Sequence, residues 1–525
     1  MTHLTAPAGI SSRVTRGVGV NVLDQLLNAI GQMVLVPVFL AYWGVQLYGE
    51  WLTLSAAVAY LSIVDFGMQM FVINRLNQCH TVGALDEYNG ILHSAYFLSL
   101  IISTASFCIL SGALAFLPIN QWFRISVTTS STARLVLVIL AAQIAFSIPQ
   151  GLIGGIYRTI GEYPRGISAG VVQKGATFIV TGVTLIAGAG LSAVAAVQIV
   201  PMAAVATFVW IDLRRRHPEV HLGIRRRNMR QALSFLVPSL FFFMIPAAMA
   251  LTFQGSTLLV GALYGAGAVA VFVTLRTVAN VLRQAFSAVN HALWPELTAL
   301  EATKRFEPLR EVFLLSSKAT LLLSVCGAIF LLFEGNDLVC LWTRGGIVYD
   351  HRLMVAFLIL LVSQTYWFTS TIVLVSSNNH HLLSICYLVS GIIGIGLGYK
   401  IGLHMGTPGV VLGLLVGDLL SCFIFVPWQA CRHIGQNYRR YSSEILLRSI
   451  PVIIVLLVGV YLVSITLENT PPIIRIVSVG AVTVLAGVSS GYFLWFRPTE
   501  RRRLNSLLVG VLPASIGRYC VKESE

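Results

Sequence analysis

Apolar residues in this chain come in continuous runs of twenty or so, separated by short clusters of glycine, proline and charge. At ~1.5 Å rise per residue, a run of that length crosses the ~30 Å hydrocarbon core of a bilayer as an α-helix. The runs do not alternate apolar with polar, so a transmembrane β-barrel is excluded. Fourteen spans are expected, at roughly 17–42, 48–72, 90–117, 133–156, 166–188, 191–212, 232–260, 267–293, 312–333, 353–376, 382–403, 408–430, 449–467 and 473–496. The fold class that follows is an all-α polytopic membrane protein.

One run departs from the pattern. Ala268 to Trp294 is apolar enough to span, yet it carries Arg276 and Arg283. At about 100° per residue, Arg276, Asn280, Arg283, Gln284, Ser287, Asn290 and His291 share one face. A guanidinium near the bilayer centre costs about 3 kcal/mol or more, so this face is expected to line a polar cavity that meets something anionic. The first span has a similar stripe of Asn21, Asp24, Gln25, Asn28 and Gln32, and Asp24 lies at a depth where it could neutralise Arg283. Asp65 and Asp418 are further intramembrane carboxylates and, with Asp24, candidates for coupling to an ion. Lys174 and Lys318 sit near enough to span ends to snorkel. Gly409, Gly413 and Gly417 recur every fourth residue, a small face for close helix packing.

Composition agrees with this reading. Hydrophobic residues make up 56% of the chain and charged ones 11%, against about 25% charged in soluble proteins. The net charge of +14 is concentrated in alternate loops. Arg75, Arg158, the 214–230 run, Lys304, Arg439 and the tail beyond Arg497 fall on one side. That asymmetry places both termini in the cytoplasm and implies no nucleic acid. Met1 to Arg16 then reads as a cytoplasmic lead, not a cleaved leader.

The basic run after the sixth span suggests two halves entering the membrane from the same side. The expected organisation is a lead at 1–16, a six-span lobe at 17–212, a basic linker at 213–231, a second lobe at 232–431, two added spans in 432–496 and a basic tail at 497–525. Leu47-Tyr48-Gly49 and Leu263-Tyr264-Gly265 form a faint echo between the halves. The eight cysteines form no CxxC pair or Cys/His cluster, so neither a metal nor a cofactor is expected. No Walker lysine loop, HExxH or GxSxG motif marks an enzyme.

Val36 to Leu76 resembles the start of bacterial polysaccharide flippases of the Wzx-like type, through Tyr48-Gly49, Tyr60-Leu61, Asp65 and Gly67. That family shares a superfamily with multidrug (MATE) exporters and the lipid II flippase. The resemblance implies two six-helix lobes in a V shape, with spans one, two, seven and eight lining the cavity. It also implies flipping of undecaprenyl-pyrophosphate-linked oligosaccharide across a bacterial inner membrane by alternating access, for polysaccharide biosynthesis. The substrate-binding residues would be Arg276, Arg283, Asn280, Asn28 and Gln32. The partners would be a lipid-linked anionic glycan, membrane lipids, a proton or sodium ion, and polysaccharide polymerase or export machinery. Two other readings compete. A multidrug exporter of the same fold would need an acidic cavity, and a membrane enzyme of polysaccharide assembly would need outer loops longer than those near 118–132 and 334–352.

Overall fold

The computed structural model describes residues 8–60, 67–377, 381–498 and 500–501, and among these every regular element is helical. The long helices are α1 (Ala8–Ala59), α2 (Met68–Thr81), α3 (Leu85–Phe116), α4 (Ser130–Thr159), α5 (Tyr163–Ile186), α6 (Ile199–Arg216) and α7 (Leu236–Tyr264). They continue with α8 (Ala266–Ala302), α9 (Phe306–Thr343), α10 (His351–Ser376), α11 (His381–Met405), α12 (Thr407–Leu420), α13 (Ile450–Thr466) and α14 (Pro472–Ser490). Thirteen helical stretches among the described residues are long and apolar enough to cross a membrane. The expected spans at 17–42 and 48–72 are counted together there: they lie on either side of a non-helical Gly44 in α1, and the second extends past Ala59 beyond the described residues.

That helix bends at Gly44, whose φ of 69° and ψ of 177° interrupt it. A side chain would be strained there, so glycine is what permits the turn. Gly265, between α7 and α8, has nearly the same conformation, with φ 81° and ψ −178°. The aromatic residue before each glycine reaches back to a further hairpin. Trp43 Nε1 donates to the carbonyl of Ala189, beyond the end of α5, at 3.0 Å, and the Tyr264 hydroxyl donates to the carbonyl of Gly402 near the end of α11.

The internal echo therefore has a different register from the Tyr48-Gly49 match. Trp43-Gly44 corresponds to Tyr264-Gly265, which brings Trp51-Leu52-Thr53-Leu54 onto Phe272-Val273-Thr274-Leu275. Gly49 is helical and serves close approach instead, since a Cβ there would stand 1.8 Å from the Ala266 carbonyl oxygen. Its neighbour Glu50 is fully buried and accepts the backbone N–H groups of Ser126, Val127 and Thr128 at 2.7–2.8 Å. That carboxylate holds the loop leading into α4, where Thr129 caps the helix.

Compactness divides the chain into two units. The first comprises residues up to Gln284, Val339–Leu360 and His381–Cys422. Its apolar core joins Met68, Val72 and Leu76 of α2 to Tyr88 and Leu92 of α3, Leu152 and Ile156 of α4, and Leu213 of α6. Elsewhere in this unit helices meet through glycine. Gly409, Gly413 and Gly417 of α12 lie against Ile401, Gly398 and Gly394 of α11, so close that a Cβ on Gly413 would stand 2.1 Å from the Gly398 nitrogen. Between lipid-immersed helices such contact replaces the hydrophobic drive available in water.

The second unit comprises Ala285–Leu338, Leu361–His380 and the chain from Phe423 onward. Lys318 of α9 is fully buried in it, with Nζ 2.9 Å from Glu500 and 3.5 Å from Glu444. The expectation that Lys318 snorkels is thus corrected: its neighbours supply two carboxylates, and the ammonium stays inside. Glu444 opens a π-helical turn (Ser443–Leu447), and its carbonyl accepts Trp495 Nε1 from a second one (Gly491–Trp495) at 3.0 Å. Glu334 of α9, also fully buried, pairs with Arg475 of α14 at 3.0 Å.

The glycine seam can be tested directly. Gly413→Leu should lower the melting temperature by an amount equivalent to about 1–3 kcal/mol of overpacking. Gly396→Leu, on α11 where a Cβ meets nothing within 4 Å, should leave thermal unfolding in detergent nearly unchanged.

Candidate functional site

The stripe on α8 opens onto a cavity of about 460 Å³ that lies wholly within the first unit. Arg276, Asn280 and Arg283 of α8 line it, with Gln32 and Phe39 ahead of the Gly44 bend and Tyr48 and Trp51 after it. Phe178 of α5 and Phe253 and Gln254 of α7 complete the wall. Among the lining residues there are two guanidinium groups, three carboxamides and no carboxylate.

Arg276 is held by α7. Its Nη1 donates to the Phe253 carbonyl at 2.8 Å and to Ser256 Oγ at 3.3 Å, and its Nη2 donates to Thr257 Oγ1 at 3.0 Å. The guanidinium also lies against the rings of Phe253 and Phe272, 5.7 and 5.4 Å from their centroids. These bonds satisfy three of the five N–H groups with neutral acceptors. None of these acceptors is a carboxylate, so the positive charge is not cancelled. Arg283, about two turns further along, stands over the Phe253 ring at 4.9 Å. Both cations are thus fixed in direction by aromatic faces before any ligand arrives.

The aromatic side of the cavity is equally ordered. Phe39 stacks on Tyr48 with centroids 5.1 Å apart and on Trp51 at 6.2 Å, so the Gly44 bend folds three rings against one another. All three are nearly buried.

Other candidate residues fall differently. Gln32 and Asn280 reach the cavity, whereas Asn28 does not line it. Asp24 does not serve as the partner of Arg283 suggested by their similar depth. Its two oxygens accept Lys174 Nζ of α5 at 2.7 and 2.8 Å. Depth along a helix axis says nothing about azimuth, and α5 is the helix that faces α1 here. Lys174 consequently bridges two helices as well as reaching toward solvent. Asp418 is buried in α12, beside Tyr387 and Cys422, and does not line the cavity. Asp65 lies outside the described residues.

Several charged groups carried no local signal. Asp212 of α6 receives Arg165 in a bidentate pair, at 2.8 and 2.7 Å, and the Tyr157 hydroxyl at 2.6 Å. Each partner comes from a separate helix, so spacing along the chain could not have joined them.

No family model matches the sequence, and no curated protein matches it. Solved structures do match the fold. The chain is similar to the lipid II flippase MurJ in an inward closed conformation, with a TM-score of 0.67 and 15% identity over 90% of this chain and 98% of that one. It is also similar to an inward-facing multidrug resistance MATE family transporter of the MOP superfamily, with a TM-score of 0.64 and 15% identity over 78% of this chain and 94% of the other. The outward-facing form of a MATE family transporter gives 0.55. The fold is therefore that of membrane flippases and transporters.

The reassignment of Asp24 makes a prediction. Asp24→Asn and Lys174→Met should each lower thermal stability, and the double variant should lose less than their sum, by about 0.5 kcal/mol or more. Strict additivity would show that the pair is not formed in the membrane.

Proposed function

We propose that this protein flips an undecaprenyl-diphosphate-linked oligosaccharide from the cytoplasmic to the periplasmic face of a bacterial inner membrane, for polysaccharide assembly. The observation that carries the proposal is the acid-free cavity with Arg276 and Arg283 beside three carboxamides. Guanidinium pairs with phosphate oxygens through parallel N–H bonds, and a diphosphate offers oxygens to both arginines. Gln32, Gln254 and Asn280 present donors and acceptors suited to sugar hydroxyls. Phe39, Tyr48 and Trp51 supply apolar faces of the kind that pack against pyranose rings.

In this reading both termini are cytoplasmic, and the lobes at 17–212 and 232–431 alternate access around the cavity. Catalysis of bond cleavage plays no part. Energy comes from a proton or sodium gradient or from the substrate gradient, with Asp24, Asp65 and Asp418 as the carboxylates to examine for coupling. Polysaccharide polymerase or export machinery would take the flipped product. The similarity to a lipid II flippase supports the transport of a lipid-linked substrate. The similarity to multidrug transporters makes drug export the alternative, but a cavity lined by cations and no carboxylate repels the cationic compounds such an exporter would bind.

The test uses proteoliposomes loaded with a fluorescent polyprenyl-diphosphate sugar. Arg276→Ala should slow its translocation by about thirtyfold or more, the effect of losing roughly 2 kcal/mol of charged hydrogen bonding. Arg276→Lys should recover only part, because an ammonium lacks the planar fork. Normal flipping by Arg276→Ala, or export of a cationic dye in its place, would overturn the assignment.

A further inference from the structure

The connection between α6 and α7 is not a loose linker. Its backbone is fastened along one stripe of α3 by three buried side chains: Asn89, His93 and Ser94. Asn89 Nδ2 donates to the Glu219 carbonyl at 3.0 Å, and its Oδ1 accepts the His221 N–H at 2.8 Å. The Arg226 N–H donates to His93 Nδ1 at 3.0 Å, which leaves the proton of the neutral ring on Nε2, directed at the His221 carbonyl 2.8 Å away. The Asn228 N–H donates to Ser94 Oγ at 2.9 Å. Val220 is buried in the same core as Tyr88 and Leu213. The strap is therefore a fixed ledge at the ends of three spanning helices.

What the ledge shows outward is strongly basic. Arg214, Arg215, Arg225, Arg227 and Arg230 are exposed, and none forms an ion pair among the described residues. Arg226 pairs with Asp86 at 2.8 Å, and Arg227 is aligned over the Phe97 ring at 4.8 Å. Set among these cations are outward-facing apolar side chains, Ile224 at 36% exposure and Met229 at 46%, and Leu233 at 50% follows on the short helix Met229–Ser234. A soluble polyanion would have no use for them. At the margin of a bilayer, such side chains enter the acyl region while the arginines meet headgroup phosphates.

We infer that the strap from 217 to 230 is a docking surface for anionic phospholipid headgroups of the leaflet it borders. The occupant follows from charge complementarity combined with the apolar residues set between the charges. Rigid attachment to α3 matters because the arginines are ordered before lipid arrives, so less freedom is lost on binding. This site is separate from the cavity on α8 and does not depend on the identity of the transported substrate.

The experiment measures the melting temperature of the full chain in uncharged detergent with either phosphatidylcholine or phosphatidylglycerol. Phosphatidylglycerol should raise it, and the rise should fade as salt is added. In the variant Arg225→Gln, Arg227→Gln, Arg230→Gln, roughly half or more of the rise should disappear, since basic groups near an anionic surface contribute comparable shares. Its melting temperature in phosphatidylcholine should match the unaltered protein, which controls for folding. The corresponding Lys variant should keep the rise. A full rise in the Gln variant would overturn the inference. So would an equal rise on adding a short RNA without anionic lipid, which would point to a soluble polyanion.

Discussion

The hydrogen bonds from Arg276 to α7 are the constraint around which the first unit is arranged. A cation placed in an apolar helix must find oxygen, and here the oxygens are the Phe253 carbonyl and the hydroxyls of Ser256 and Thr257. Reaching them requires α7 and α8 to run closely side by side, which the turn at Gly265 allows. Gly261 then leaves room where these helices meet α1, with Thr53 and Val269 3.3 and 3.4 Å from the point where its Cβ would stand. Because every acceptor is neutral, the arginine is satisfied geometrically while its charge persists. A carboxylate partner would have met the same bonding need but left nothing to attract an anion.

Four other charged groups, buried or half-buried, behave in the opposite way. Lys318 has two carboxylates, Glu334 has Arg475, and Asp212 has Arg165. Glu50 is matched by three backbone N–H groups. Each of these ties separate chain segments together, and removing one partner would leave a buried group uncompensated. Against that background, Arg276 and Arg283 stand out as cations flanked by aromatic rings in an acid-free wall. The contrast separates charges matched by an opposite charge or a set of amides from Arg276, which is bonded through neutral oxygens and so both holds α7 and keeps its charge at the cavity wall.

Span positions were legible in the amino-acid sequence because a bilayer demands about twenty apolar residues each time the chain crosses it. Arg276 and Arg283 were legible for the same reason, as violations of that demand. The partner of Asp24 was not, because which helix faces α1 is settled by packing between distant segments. Glu50 and Asp212 were hidden for a similar reason: their partners are loop amides or residues on other helices. The register of the repeat is hidden in the sequence because Tyr48-Gly49 and Trp43-Gly44 look alike as letters. Only their backbone angles distinguish a turn from a tight helix crossing.

The crossing at Gly49 also constrains the order in which the protein can be assembled. Its contact, the carbonyl of Ala266, belongs to the first residue of α8. During synthesis the first hairpin is therefore inserted long before its closest neighbour exists, and its tip must wait in the membrane with a glycine notch unfilled. By contrast, the seam between α11 and α12 joins neighbours in sequence and can close as soon as both have emerged. The Gly49 face of the first hairpin thus stays open until α8 has emerged, although α2, α3, α4 and α6 can already pack on one another. That one contact is completed from the second half backward.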